Sequence, residues 1–128
     1  MGYRILIVDD SPVMRRIVAR ALAAGGFEAS TTHCAENGRE ALAVLAAHPI
    51  DIVFADINMP EMSGMEMVEK MAADGQLPTQ PVIILSTERN AERIDRLRAL
   101  GVRAYLKKPF KPEDLKKVVS ALFPLGAP

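Results

Sequence analysis

Polar side chains recur at one position of the sequence pattern, directly after short apolar runs. Asp9 and Asp10 follow the first such run, Asp56 follows the third, and Ser86 and Lys108 follow the last two. Carboxylates, a hydroxyl and a lysine, completed by a divalent cation, are the parts that phosphoryl transfer needs, because catalysis there is mostly positioning and charge stabilisation. A carboxylate can itself be the nucleophile. The sequence therefore indicates phosphoryl chemistry if these residues meet in space.

Taken one at a time, these residues have simpler explanations. An Asp after a strand is usually a turn residue or a helix cap, and Asp9-Asp10 before Ser-Pro could be a solvated turn. Lys107 and Lys108 alone would be a solvated pair, and Ser86 the start of a loop. All of these residues, however, fall at the carboxyl end of a predicted strand. Those ends share one edge of a parallel sheet, so the coincidence favours a common site.

The elements that must position these residues are strands alternating with helices, a pattern typical of parallel β-α-β units. Strands are predicted at residues 5–8, about 28–32, 52–55, 82–85 and 104–106. A segment with a helical apolar stripe follows each strand, and Ser11 and Asn90 are predicted N-caps. Right-handed crossovers allow the first and third strands to be neighbours, which would bring Asp9, Asp10 and Asp56 together.

Composition limits the classes of function. Lys plus Arg and Asp plus Glu number 16 each, so no global charge draws the chain to nucleic acid or to an anionic membrane. An apolar fraction of 49% suffices for the core of one domain. Cys34 is the single cysteine, which excludes an internal disulfide and predicts a buried or half-buried structural thiol. Without a signal-peptide pattern or a run long enough to span a bilayer, the sequence predicts a cytoplasmic protein.

Four motifs in order along the chain identify a family. They are Ile7-Val8-Asp9-Asp10-Ser11, Asp56-Ile57-Asn58-Met59-Pro60 with Gly64, the strand ending at Ser86, and Lys108-Pro109-Phe110. Each motif is weak alone, but together they resemble the receiver domain of two-component response regulators, and the CheY-like chemotaxis regulators in particular. The resemblance implies a doubly wound α/β fold, a five-stranded parallel sheet in the order 2-1-3-4-5 flanked by five helices. It implies a receiver domain over residues 1–123, followed by a C-terminal tail over 124–128.

The resemblance also implies a metal-assisted phosphoryl acceptor. Asp56 would accept a phosphoryl group from a sensor histidine kinase. Mg²⁺ or Mn²⁺ would be bound by the carboxylates of Asp10 and Asp56 and by the backbone carbonyl of Asn58, with Asp9 holding the ion through a water. Lys108 would pair with the phosphoryl group, and the peptide bond after Lys108 is expected to be cis.

Further positions match the switch and the rate-tuning residues of the family. Ser86 and Tyr105 would couple phosphorylation to the face formed by the fourth helix, the fifth strand and the fifth helix, where a downstream protein would bind. Without the resemblance, Tyr105 would be an ordinary half-buried sheet aromatic. Asn58 and Glu88 are typical of a short-lived phosphorylated state. Thr87 departs from the usual Ala or Gly, and its branched side chain is expected to crowd the attacking water and slow the loss of phosphate.

The predicted fourth helix is rich in arginine. Arg89 lies at its start, and Arg93, Arg96 and Arg98 follow along it. One interpretation is a solvated face in which Glu92 pairs with Arg96 at i,i+4 spacing. The other is a docking surface for an acidic partner, and the sequence leaves both open.

Rival functions differ in their motifs. A phosphatase of the haloacid-dehalogenase type would carry Asp-x-Asp on the first strand, where this chain has Asp9-Asp10. A pseudo-receiver that only binds proteins usually lacks one of the acids or the lysine, and the receiver half of a longer regulator is a third alternative. No phosphate-binding loop or dinucleotide fingerprint is present. We therefore expect a monomeric signalling protein and not an enzyme with a separate substrate. We expect no direct contact with nucleic acid or membrane. Chemotaxis is implied only by the resemblance.

Overall fold

The computed structural model describes residues 2–122, and this part of the chain forms one parallel sheet covered by helices on both faces. The strands are β1 (Tyr3–Val8), β2 (Ala29–Ala35), β3 (Ile52–Ala55), β4 (Val82–Ser86) and β5 (Ala104–Lys107). The helices are α1 (Pro12–Ala24), α2 (Gly38–Ala47), α3 (Gly64–Ala73), α4 (Ala91–Leu100) and α5 (Pro112–Leu122). The strand order is β2-β1-β3-β4-β5 with every pair parallel, so the predicted doubly wound fold is confirmed.

Side-chain alternation along the central strands divides the core into two layers. Leu6 and Val8 of β1 point to the layer that α2, α3 and α4 cover, with Leu97 of α4 fully buried there. Ile5 and Ile7 point to the opposite layer, under α1 and α5. Because both faces are covered, the inner strands are continuous apolar runs, as is usual for a parallel sheet.

The register of the sheet brings the carboxyl ends of its inner strands to one level. Val8, the last residue of β1, lies opposite Ala35 of β2 and Ala55 of β3. The residues that follow Val8 and Ala55 are Asp9 and Asp56. The predicted convergence of these carboxylates at one edge therefore follows from strand pairing alone.

Local signals place the helix starts where the sequence predicts them. The hydroxyl of Ser11 accepts a hydrogen bond from the Met14 N–H at 3.2 Å, and the side chain of Asn90 accepts from the Arg93 N–H at 3.0 Å. Both side chains satisfy N–H groups that a helix leaves unpaired at its start. The predicted caps of α1 and α4 are confirmed.

Three expectations need correction. The second strand extends over Ala29–Ala35 rather than about 28–32, because it pairs with β1 as far as Val8. Cys34 is exposed, not buried or half-buried, since it lies on this edge strand and its side chain faces outward. Ile17 is part of the apolar stripe that the sequence predicts for the core-facing side of the first helix, yet 47% of it is exposed.

The C-terminal tail predicted over 124–128 lies outside the described residues, as does Phe123. Among residues 2–122, no helix combines the length and the apolar character that crossing a bilayer would need.

Candidate functional site

The loop after β1 holds Asp9 by several contacts. The Asp9 N–H donates to the Ala35 carbonyl at 3.0 Å, and its Oδ1 accepts from the Ser11 N–H at 2.9 Å. The Arg15 guanidinium donates to the Asp9 carbonyl oxygen at 2.6 Å. Asp9 is only 4% exposed, whereas the neighbouring Asp10 is exposed. The first carboxylate is therefore fixed in place, and the second faces solvent.

The third carboxylate, Asp56, follows β3 directly. Its N–H donates to the Val8 carbonyl at 2.9 Å, and its Oδ1 accepts from the Ile57 N–H at 2.7 Å. Gly64, the first residue of α3, packs so closely that a Cβ there would lie 2.1 Å from the Asp56 carbonyl oxygen. Only glycine fits this position, which explains the Gly64 of the motif.

Lys108 reaches the carboxylates from β5. Its Nζ lies 2.8 Å from Asp9 Oδ2 and 3.4 Å from Asp56 Oδ2, and its side chain is 12% exposed. The Lys108 N–H donates to the Ser86 carbonyl at 2.9 Å, which joins the start of the loop between β5 and α5 to the end of β4. The peptide bond between Lys108 and Pro109 is cis, as the resemblance predicts.

The charges of this site are only partly compensated. Asp9, Asp10 and Asp56 each offer a carboxylate oxygen, and these oxygens lie within 4.8 Å of one another. Lys108 supplies one ammonium group against the three carboxylates. Like charges this close repel one another, and a cation bound between them would relieve that repulsion. A set of oxygen donors with excess negative charge suits Mg²⁺ or Mn²⁺, so the residues present fit the metal that the resemblance implies.

Ser86 and Tyr105 meet at the loop between β4 and α4. Ser86 is fully buried at the end of β4, and its hydroxyl accepts from the Glu88 N–H at 3.3 Å. The Tyr105 hydroxyl donates to the Glu88 carbonyl oxygen in a short hydrogen bond. Burial raises the pKa of Tyr105 above its ordinary value, and the nearby Glu88 carboxylate adds to this effect. Both predicted switch residues thus form hydrogen bonds with the backbone of Glu88.

The remaining predicted residues lie on the rim of the site. Asn58 is exposed two residues after Asp56, and Thr87 is exposed directly after Ser86. Their predicted roles in metal binding and in dephosphorylation stay predictions.

The arginines of α4 pair with carboxylates outside that helix. Arg96 donates twice to Glu69 Oε2 on α3, at 3.2 and 3.0 Å, instead of pairing with Glu92 as expected. Arg93 lies 3.7 Å from the Glu88 carboxylate. The predicted i,i+4 pair is wrong because an acidic side chain of the neighbouring helix is better placed. Among residues 2–122, neither Arg89 nor Arg98 forms an ion pair, and both are exposed.

Two residues near the site were missed by sequence reasoning. Arg15 contacts the Asp9 backbone from α1, and the sequence shows it only as one of two adjacent arginines on a helix. Asn37 is 2% exposed and donates to Glu61 in the loop after β3. The Asn-Gly pair at 37–38 could have indicated a helix cap, but no local signal indicates its long-range partner.

Comparisons with known proteins agree with this geometry. The sequence model of the response regulator receiver domain matches residues 5–120. The chain is 38% identical over 122 residues to chemotaxis protein CheY-3 of Vibrio cholerae, covering 95% of this chain and 92% of that one. It is 41% identical over 116 residues to chemotaxis protein CheY1 of Helicobacter pylori, covering 89% and 91%.

A solved structure shows the same arrangement. The chemotaxis response regulator CheY4 of Vibrio cholerae superposes with a TM-score of 0.81 at 33% identity, covering 96% of this chain and all of that one. With the strand order, the acidic cluster and the matched sequence model in agreement, the chain belongs to the response regulator receiver domain family of two-component signalling proteins.

Proposed function

We propose that the protein is a phosphorylation-dependent switch in which Asp56 accepts a phosphoryl group from a histidine kinase. The observation that carries this proposal is the position of Asp56, with Lys108 Nζ 3.4 Å from its Oδ2 and two further carboxylates in the same cluster. Its side chain is 13% exposed, so a small or protruding donor can reach it while bulk water is largely kept away. A turn-forming Asp would need none of these neighbours.

The transfer is a single displacement at phosphorus. A carboxylate oxygen of Asp56 forms a bond to the phosphorus atom, the bond from phosphorus to the donor atom breaks, and its electron pair leaves with the donor. One Asp56 oxygen is held by the Ile57 N–H at 2.7 Å, while the other faces Lys108. These contacts orient the carboxylate before the donor arrives.

The metal would be held by Asp10, Asp56 and the backbone carbonyl of Asn58, with Asp9 acting through a water. Mg²⁺ supplies positive charge that neutralises the carboxylates and the phosphoryl oxygens. The cluster of three carboxylates with one lysine supports this assignment, because its own charges leave an excess of negative charge.

Lys108 has a second role once the phosphoryl group is present. Its ammonium group bridges Asp9 and Asp56 at 2.8 and 3.4 Å. A phosphoryl group on Asp56 adds further oxygens on the side that this ammonium group faces. Lys108 then exchanges part of its contact with Asp9 for one with the phosphoryl group, which weakens the link that Lys108 makes between Asp9 and Asp56.

The signal would leave through the loop between β4 and α4. Ser86 contacts the Glu88 N–H and Tyr105 the Glu88 carbonyl, so a Ser86 hydroxyl that turns toward the phosphoryl group releases one of the two contacts. The α4–β5–α5 face carries Tyr105 and the α4 arginines, and a downstream protein would bind there. Relatives named as chemotaxis proteins support chemotaxis as the process. We further propose that the protein acts as a monomer in the cytoplasm.

The decisive experiment is incubation with acetyl phosphate and magnesium, read by intact mass. We expect a gain of one phosphate that requires the metal and that disappears in Asp56→Asn. Asp95→Asn, an exposed change on α4 outside the cluster, is the matched control and should be phosphorylated normally. No gain in the wild-type protein would contradict the proposal and favour a pseudo-receiver that acts only by binding proteins.

A second experiment tests the output face. The double charge reversal Arg93→Glu and Arg96→Glu should weaken binding of the downstream protein if the face docks an acidic partner. Unchanged binding of that partner would leave the solvated-face interpretation, in which Arg96 only links α4 to Glu69 of α3.

A further inference from the structure

We propose that Asn37, at the start of α2, is a positioning residue that fixes the β3–α3 loop for metal binding and phosphorylation. The β3–α3 loop is defined here as residues 57–63, which connect Asp56 to α3. This inference rests on the proposed function, because it concerns how the same site is kept in shape. Asn37 touches neither the carboxylate cluster nor Lys108 by any contact described above, and it acts through the loop.

Both ends of the Asn37 amide are used. Its Oδ1 accepts from the Glu40 N–H at 2.9 Å and caps α2, while its Nδ2 donates to Glu61 Oε2 at 3.0 Å. The residue is 2% exposed, so water cannot readily replace either partner. A carboxylate acceptor on one side and a backbone donor on the other fix the orientation of the amide. The position therefore requires a side chain that both accepts and donates.

The backbone next to Asn37 contacts the same loop. The Gly38 N–H donates to the Met62 carbonyl at 2.8 Å. A Cβ at Gly38 would lie 2.9 Å from Met62 Cγ and 3.0 Å from the Ser63 carbonyl oxygen. The start of α2 is thus packed directly against the β3–α3 loop, with no room for a side chain between them.

The loop needs this support because one of its residues, Glu61, has an unfavourable backbone conformation. Glu61 has φ of 62°, in the left-handed region that residues other than glycine seldom occupy. Such conformations persist where neighbouring contacts over-determine them. The Glu61 side chain is held by Asn37, and by an exposed pair with Arg39 at 3.6 Å that contributes little. The Asn37 bond is the less exposed of the two, because Asn37 itself is buried.

A shift at Glu61 would reach the site because the loop is short and closed at its base. The Gly64 N–H donates to the Ile57 carbonyl at 2.8 Å, so the two ends of the loop are joined. Asn58, whose carbonyl is a proposed metal ligand, lies within it. If Glu61 relaxes to an ordinary backbone conformation, the carbonyl of Asn58 turns with it and the metal site loses its shape.

The chemistry of the pair suggests a reciprocal test. Asn37→Asp retains an acceptor that caps α2 as well as Asn does, but it places a carboxylate against the Glu61 carboxylate. Glu61→Gln in the same chain restores a donor opposite that new carboxylate. The double variant should therefore rebuild the hydrogen bond with donor and acceptor exchanged.

The experiment measures Mg²⁺ binding by calorimetry, hydrogen exchange of the loop amides, and phosphorylation by acetyl phosphate. In Asn37→Asp we expect Mg²⁺ affinity and phosphorylation rate to fall about three- to tenfold, with faster loop exchange. This is the size expected from losing one ordinary hydrogen bond, because the Glu61 carboxylate is largely exposed to solvent. The double variant should recover to within about twofold of wild type on the same scale. Arg39→Ala, which removes only the exposed pair, should stay within about twofold as the matched control.

Several outcomes would overturn the inference. The inference is wrong if Asn37→Asp keeps the Mg²⁺ affinity and loop exchange of the wild-type protein. It is also wrong if the double variant binds Mg²⁺ and is phosphorylated as poorly as the single variant. Should Asn37→Asp fail to fold, Glu61→Ala removes the same hydrogen bond without touching the cap, and wild-type affinity there would be equally contrary. If the wild-type protein is not phosphorylated, the proposed function fails, while the metal titration and the loop exchange still test Asn37.

Discussion

Replacing Asp10 with Asn should stabilise the metal-free protein, although it removes a proposed metal ligand. The three carboxylates of the cluster repel one another, and two of them, Asp9 and Asp56, pair with Lys108. Asp10 therefore contributes repulsion without an ion pair of its own in the described structure. Neutralising this carboxylate removes charge repulsion and keeps both lysine contacts.

The magnitude follows from the separations. At 4.8 Å, the upper limit of the separations in the cluster, two unit charges repel by about 3.5 kcal/mol at an effective dielectric constant of about 20. Asp10 takes part in two such pairs, but it is exposed, so solvent and salt reduce the gain to the order of 1–2 kcal/mol. Asp56→Asn relieves the same number of repulsions but loses an attraction to Lys108 at 3.4 Å, worth about 5 kcal/mol on the same scale. Its net gain should be clearly smaller.

Thermal unfolding followed by circular dichroism, with a chelator or with saturating magnesium, tests this reasoning. With chelator, Asp10→Asn should raise Tm by about 3–8 °C for a domain of this size. High salt should shrink the gain, and magnesium should reverse the order by stabilising the wild-type protein more. Asp95→Asn is the control for loss of an exposed carboxylate elsewhere. An Asp10→Asn protein that is no more stable than wild type with chelator would refute the electrostatic account of the cluster.

Three other predictions concern neighbouring positions. Thr87→Ala should speed the loss of phosphate measured by intact mass over time, whereas an unchanged rate would mean that the exposed methyl group does not crowd the attacking water. Tyr105 has a raised pKa, so its contribution to stability is complete below pH 10.0, the ordinary value, and is lost as pH rises through the folded value. Tyr105→Phe should flatten this alkaline decline in denaturant titrations; an equally steep decline would implicate other groups. Gly64→Ala should destabilise the protein by about 1–3 kcal/mol or more in the same titrations, which is the cost of overpacking, because its Cβ would meet the Asp56 carbonyl oxygen at 2.1 Å. A loss under about 1 kcal/mol would mean that the loop yields.

The features that depend on strand pattern and strand ends were predictable from sequence. Continuous apolar runs indicated the inner strands, and residues placed directly after them necessarily meet at one edge of a parallel sheet. Asp9, Asp10, Asp56 and Lys108 converge for this reason. The caps of α1 and α4 were equally local, since each depends on a side chain and an N–H group three residues later.

The features that depend on contacts between distant segments were not predictable. The bond from Asn37 to Glu61 spans 24 residues. Arg96 pairs with Glu69, which is 27 residues away, and not with Glu92 on its own helix. Helical spacing shows which side chains could pair within a helix, but not which acid a neighbouring helix offers. Cys34 was placed wrongly because an edge strand exposes side chains that an inner strand would bury.

The size of the available interactions constrains how the switch can work. Lys108 already contacts two carboxylates, so its bond to a phosphoryl group largely replaces an existing one. In the proposed switch, the buried Ser86 hydroxyl would gain a new charged partner, and a hydrogen bond to a charged group contributes about 1.5–3 kcal/mol. That bond must offset the lost contact with the Glu88 N–H, which is long at 3.3 Å. A full conversion between two states would require about 5.5 kcal/mol. On these magnitudes, the proposed phosphorylation of Asp56 would shift the β4–α4 loop only partway, and binding of the downstream protein would complete the change.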